Sequence, residues 1–153
     1  MSRVLYLMRH AHAGQGPDDR HRKLDGRGIA EAGAAGLHLQ AEGIEVVLCS
    51  SAVRCVETMY QLRLKDVHVE IHKALYLADS ETIRQRVSET DDDVSRVLVI
   101  AHSPGIPTLA SELAWEHNHQ SADRFGCYFP TAHVARFPIT GTWADLMSPT
   151  IMI

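Results

Sequence analysis

The chain has 153 residues, 45% apolar and 22% charged. That is the make-up of one globular domain with a single core, not of a disordered, collagen-like or disulfide-knotted chain. Lys and Arg number 15 against 19 Asp and Glu, a net charge of −4, which speaks against a general nucleic-acid binder or an anionic-membrane binder.

The first apolar run, Val4 to Met8, reads as a buried strand. It is too short for a signal peptide, and no run approaches a membrane span; the expectation is a cytoplasmic protein. A polar loop with Gly14, Gly16 and Pro17 as breakers follows to about Leu24. Asp25 is placed to cap a helix to about Glu42, with Ile29, Ala32, Gly33, Gly36 and Leu37 as its inner stripe and Gly43 beyond its end. Val46 to Cys49 reads as a second buried strand, and Ser50 or Ser51 as the cap of a helix from Ala52 to about Leu64. Val67 to Ile71 alternates like an edge strand, and Leu75 to Leu77 is ambiguous. Asp79 or Ser80 starts a short helix to about Ser88 with Ile83 and Val87 inward, and Asp91 to Asp93 form a solvated turn. Val97 to Ala101 is the strongest strand signal. Pro104 opens a helix to about Trp115, with Ile106, Leu109, Ala110, Leu113 and Ala114 inward. A polar loop over His117 to Gly126, strands over Thr131 to Ile139 and Trp143 to Met147, and an apolar tail from Thr150 to Ile153 complete the chain.

Strands alternating with helices predict an α/β domain spanning 1–153, a three-layer α/β/α sandwich with a mainly parallel central sheet. In such sheets ligands bind outside the carboxyl ends of the strands. The first run ends in Arg9 and His10, the second in Ser50 and Ser51 with Arg54 shortly after, and the strongest in His102. If these strands are parallel neighbours, two arginines, two histidines and two helix N-termini meet in one crevice. In an acidic chain that cluster calls for a dense anion. A phosphoryl group fits, because a guanidinium binds two of its oxygens with parallel hydrogen bonds.

Other signals are weaker. Cys49, Cys55 and Cys127 are an odd set with no Cys-x-x-Cys pair, which reads as reduced thiols. Cys49 and Arg54 have four residues between them where a cysteine-phosphatase loop needs five, so Cys49 reads as a core residue. His68, Glu70 and His72 share a strand face and could hold a metal, but an exposed polar face explains them. His117 and His119 read as solvated. Arg20 to Lys23 form a basic run, either solvated or a rim for a phosphorylated or acidic partner.

The chemistry-bearing segments also resemble a known family. Leu7-Met8-Arg9-His10-Ala11 resembles the Arg-His-Gly signature of the histidine phosphatase superfamily, in the form frequent among its small SixA-type phosphohistidine phosphatases. Leu24 to Ala32, Ser50 to Thr58, Ala101 to Gly105 and Pro130 to Ala132 resemble further family motifs, in order along the chain. The resemblance implies a phosphoglycerate mutase-like fold and no metal or organic cofactor. It implies His10 as a nucleophile that forms a phosphohistidine, Arg9 and Arg54 as phosphoryl clamps, and His102 as a donor to the same group. Arg22 falls on the pocket rim and, with Ser103, reads as a substrate contact. The implied partner is a phosphohistidine protein or a small phosphorylated substrate, and the implied state a monomer.

Ala11 stands where the family has Gly, and His12 follows it; Ala101 and Ser103 replace Gly and Asn around His102. Larger relatives carry an acid after the third strand, where this chain offers Asp79 and Glu81; His12 is a further candidate. Imidazole leaves phosphorus more readily than an alkoxide, so a site without a strong acid favours phosphohistidine or an activated aryl ester. Two guanidiniums beside His10 should also keep it neutral at pH 7, as attack requires. The competing readings are a phosphomonoesterase or mutase for a small metabolite, a non-catalytic phosphate-binding scaffold, and a histidine-rich metal module.

Overall fold

The protein is described by a computed structural model over residues 2–117 and 128–147, with only the backbone of His117 included. Cys127, His119, the expected loop to Gly126 and the tail from Thr150 lie outside the described residues.

Among the described residues, five strands form one sheet: β1 (Arg3–Arg9), β2 (Val46–Ser50), β3 (His68–His72), β4 (Arg96–Ala101) and β5 (Val134–Ile139). Their order is β3-β2-β4-β1-β5, with β5 antiparallel to β1 and the other neighbours parallel. The helices are α1 (Gly26–Leu39), α2 (Val53–Leu62), α3 (Ser80–Ser88) and α4 (Gly105–His117). The alternation of β1 sorts the core. Val4, Tyr6 and Met8 face one cluster with Leu39 of α1 and Cys55 and Leu62 of α2. Leu5 and Leu7 face the other, with Ile83 and Val87 of α3, Ile106 and Leu109 of α4, and Trp143. The sheet is thus covered on both sides, as strands apolar on both faces require. Among the described residues, no helix is long and apolar enough to cross a membrane.

The inner stripe expected for α1 is corrected. Ile29 is 46% exposed and Leu37 74%, whereas Gly28, Ala32, Gly36 and Leu39 are buried. Close approach sets this face, not the largest apolar residues. A Cβ on Gly36 would stand 2.5 Å from the Leu62 carbonyl oxygen, and one on Gly28 would collide with the His12 carbonyl. The expected serine cap of α2 is also corrected: the N-cap is Ala52, with no side-chain bond. Ser50 is drawn instead to His102, and Ser51 accepts from Arg20.

Trp143–Met147 is a 3-10 turn, not a strand. Trp143 is fully buried against α3 and donates through Nε1 to the Val94 carbonyl, 2.7 Å, so packing takes what the alternation suggested for pairing. Lys73–Leu75 forms another 3-10 turn. The late strand starts at Val134, because a turn through Ala132 (φ 62°) precedes it. Asp25 caps α1, Asp79 caps α3, and the expected inward stripe of α4 is buried.

Candidate active site

Register brings the strand ends together. Arg9 lies opposite Ala101 in the β1–β4 pair, and Cys49 opposite Ile100 in the β2–β4 pair. His10 extends the ladder by one bond, its N–H donating to the Ala101 carbonyl at 3.0 Å. His10, Ser50 and His102 therefore leave three adjacent strands at one level, and Arg54 reaches in from the first turn of α2. A pocket of about 300 Å³ opens there, lined by Arg9, His10, Arg54 and His102 together with Arg22, Ser103, His12, Ala13, Leu77 and Thr131.

The ring of His10 is only 5.4 Å from that of His102, centroid to centroid. His10 Nδ1 lies 2.8 Å from the Ala11 carbonyl, which can only accept, so Nδ1 carries the proton and Nε2 the lone pair. Arg54 Nε donates to that Nε2 at 3.3 Å. Arg54 Nη2 donates to His102 Nδ1 at 3.2 Å, so the proton of His102 sits on Nε2 and goes to Ser50 Oγ at 2.7 Å. Burial pushes His10 down to about 4, with the charges of Arg54, Arg9 and Arg22 adding to it against the opposing Ala11 hydrogen bond. His102 falls to about 3, first through burial and then through Arg54. Both imidazoles are neutral at pH 7. The cause expected from the sequence, neighbouring guanidiniums, is the lesser one.

Arg9 donates through Nη1 to the Phe129 carbonyl, and its buried Nε has no acceptor among the described residues. A buried donor without an acceptor is costly, and a phosphoryl oxygen would supply one. Arg22 is held at the rim by the Gly14 carbonyl, 2.9 Å, and by Asp19. Ser103 is exposed at the pocket edge. Asp79 and Glu81 do not line the pocket: Asp79 is engaged as the α3 cap, and Glu81 is exposed in the first helical turn.

Sequence reasoning missed the supports. Asp19 accepts from Arg54, Arg22 and the Tyr76 hydroxyl, and these bonds hold its carboxyl down at about 2, the Tyr76 bond most strongly. Thr58 accepts from the Ala11 N–H at 3.0 Å and donates to the Arg54 carbonyl at 2.7 Å, tying the strand end that carries His10 to α2. Its place in Ser50 to Thr58 was the available signal; Asp19, in an aperiodic loop, gave none. Glu31 accepts from His12 N–H and from Thr131. Cys49 and Cys55 are buried, and burial pushes both thiols up, Cys55 to about 12, far from a reactive thiolate. His68 and His72 both pair with Glu70 on the edge strand. No group of three or more ligand-type side chains able to hold a metal occurs among the described residues.

Comparisons with known proteins point the same way. A model of the histidine phosphatase superfamily (branch 1) matches residues 5–79. An uncharacterized protein of Mycobacterium leprae is 34% identical over 148 residues, 91% of each chain. A solved structure from Nakamurella multipartitia, assigned as a phosphohistidine phosphatase SixA, has 32% identity and a TM-score of 0.89, covering 96% of this chain and 90% of that one. The protein histidine phosphatase SixA complexed with tungstate has 26% identity and a TM-score of 0.64, covering 72% and 76%.

Proposed function

Because the chain belongs to the histidine phosphatase superfamily, we propose that it is a phosphatase whose nucleophile is His10 and whose substrate is a phosphohistidine protein, as in the SixA type. The observation that carries this reading is the lone pair of His10 Nε2, held beside Arg54 in a pocket lined, among the described residues, by three arginines and no carboxylate.

The chemistry follows from the groups present. A tetrahedral dianion enters, and the unpaired Arg9 Nε and the Arg54 guanidinium turn to its oxygens. Released from Arg54, His10 Nε2 attacks phosphorus; the bond to the leaving group breaks, and a phosphohistidine forms. Nδ1 keeps its proton on the Ala11 carbonyl throughout, which fixes the ring. Water then attacks phosphorus, and the electron pair returns to Nε2.

His102 cannot donate to the phosphoryl group in its free tautomer, since its only proton, on Nε2, is given to Ser50 Oγ. Ser50 hydroxyl can donate as well as accept. A dianion in place of Arg54 therefore favours the other tautomer, with the His102 proton on Nδ1 toward phosphate and Ser50 donating to Nε2. Tungstate, a tetrahedral oxyanion, is bound by a SixA relative, which supports an oxyanion pocket here.

The experiment is a substrate panel: a phosphohistidine peptide, an activated aryl phosphate, an alkyl phosphate and small phosphorylated metabolites. Turnover of the phosphohistidine peptide well above the alkyl ester is expected. Preference for one small metabolite would move the substrate to the phosphomonoesterase or mutase reading. No turnover of any phosphorylated compound would contradict the proposal.

A further inference from the structure

Phosphoryl transfer leaves a charge on the departing atom, and Arg9, His10, Arg54 and His102 do not supply a proton for it. Both imidazoles of the central pair are neutral, and arginine does not deprotonate. Among the described residues no carboxyl group lines the pocket; Thr131 is committed to Glu31, and Ser103 is a plain hydroxyl. The titratable side chain left in the lining is His12, two residues after the nucleophile.

Its setting is built. His12 N–H donates to Glu31 Oε1 at 2.9 Å, and its carbonyl accepts from Asp25 N–H at 3.3 Å. Gly28 lets the first turn of α1 close onto that carbonyl, where any Cβ would collide. Nδ1 donates to Asp25 Oδ2 at 2.6 Å, while Oδ1 of the same carboxylate takes the Gly28 N–H at 2.9 Å as the α1 cap. The cap bond, then the His12 bond, hold the Asp25 carboxyl below its ordinary value, so it is an anion at neutral pH. The pair is partly open to solvent, 38% for His12 and 37% for Asp25, so protons can exchange. A carboxylate fixing one ring nitrogen leaves the other, Nε2, to exchange protons with a reacting group.

We propose that His12, positioned by Asp25, is the proton donor to the leaving group and then the proton acceptor for the hydrolytic water. This rests on the phosphoryl-transfer reading of the site. In the first step the bond from phosphorus to the leaving atom breaks, the bond from phosphorus to His10 Nε2 forms, and His12, entering as the imidazolium with Nδ1–H held by Asp25, passes its Nε2 proton to the leaving atom and becomes neutral. In the second step water oxygen bonds to phosphorus, the P–N bond returns its pair to His10, and the water proton restores His12. Asp25 touches no reacting atom; it is a positioning residue.

The test measures turnover by wild type, H12Q, D25N and H10A on aryl phosphates graded from dinitrophenyl to phenyl. Asn also caps helices well, so D25N keeps α1 while removing the carboxylate. Loss of a general acid costs about 100-fold or more on the poorest leaving group. H12Q is therefore expected to lose about 100-fold on phenyl phosphate and at least ten-fold less than that on the dinitrophenyl ester, with D25N changing in the same direction. The ¹⁵N shifts of the His12 ring should report a protonated Nδ1 in wild type and a changed tautomer balance in D25N. Equal losses along the series, or none in either variant, would overturn the role of His12. Turnover by H10A equal to wild type would instead overturn the underlying reading, whatever the two variants do.

Discussion

Arg54 Nε stands 3.3 Å from His10 Nε2, so the cation that would clamp phosphate rests, in the free protein, on the nitrogen that would attack it. The contact orients the imidazole and opposes its protonation. It also means that His10 and Arg54 are released from each other when an anion enters. A donor lost from such a site costs about 3 kcal/mol of transition-state stabilisation.

Arg54→Lys keeps a cation but not the parallel donor pair, and it cannot reach His10, His102 and Asp19 at once. A fall in kcat/KM of about 100-fold or more is expected, with far-ultraviolet dichroism unchanged. Retention of more than a tenth of wild-type kcat/KM would remove Arg54 from the clamp.

The pH dependence of kcat/KM in the free enzyme should show His10 in its acid limb. With His10 at about 4, activity holds as pH drops through 6 and falls only near 4 to 5. A limb at the ordinary histidine value of about 6.5 would contradict a buried, neutral His10 in the attacking role. Stability moves in the matching direction. The folded values of His10 and His102 lie below the unfolded one, so the unfolded chain binds more protons between them. Their contribution is complete above about 6.5 and is lost as pH falls toward 4 for His10 and 3 for His102. Thermal melts across pH 7 to 4 should show a falling Tm, and the H10A variant a shallower fall.

Asp19 competes with any oxyanion for Arg54 and Arg22. Asp19→Asn removes that competing charge, so inorganic phosphate should inhibit more strongly, by about two- to five-fold, the scale of an exposed ion pair. The inhibition constant at fixed ionic strength checks this. Weaker phosphate inhibition would mean that Asp19 holds the arginines in their binding geometry.

The convergence of Arg9, His10, Arg54 and His102 was legible because strands buried on both faces are continuous apolar runs, and their ends name the crevice. The register that aligns those ends was not legible; it comes from pairing between segments far apart in the chain, as in Arg9 with Ala101. The phase of α1 was misjudged because backbone contact at Gly28 and Gly36 outweighs the burial of Ile29 and Leu37. Trp143 reads as part of a strand until its indole N–H is seen to need the Val94 carbonyl. Asp19 and Tyr76 belong to separate irregular segments, and only the fold shows that they meet.

The most direct measurement is brief labelling with a phosphodonor, followed by quenching and mapping of the modified residue. A nucleophilic His10 predicts an acid-labile, alkali-stable label on His10 that is absent from His10→Ala. A label on any other side chain, or full turnover by His10→Ala, would contradict it.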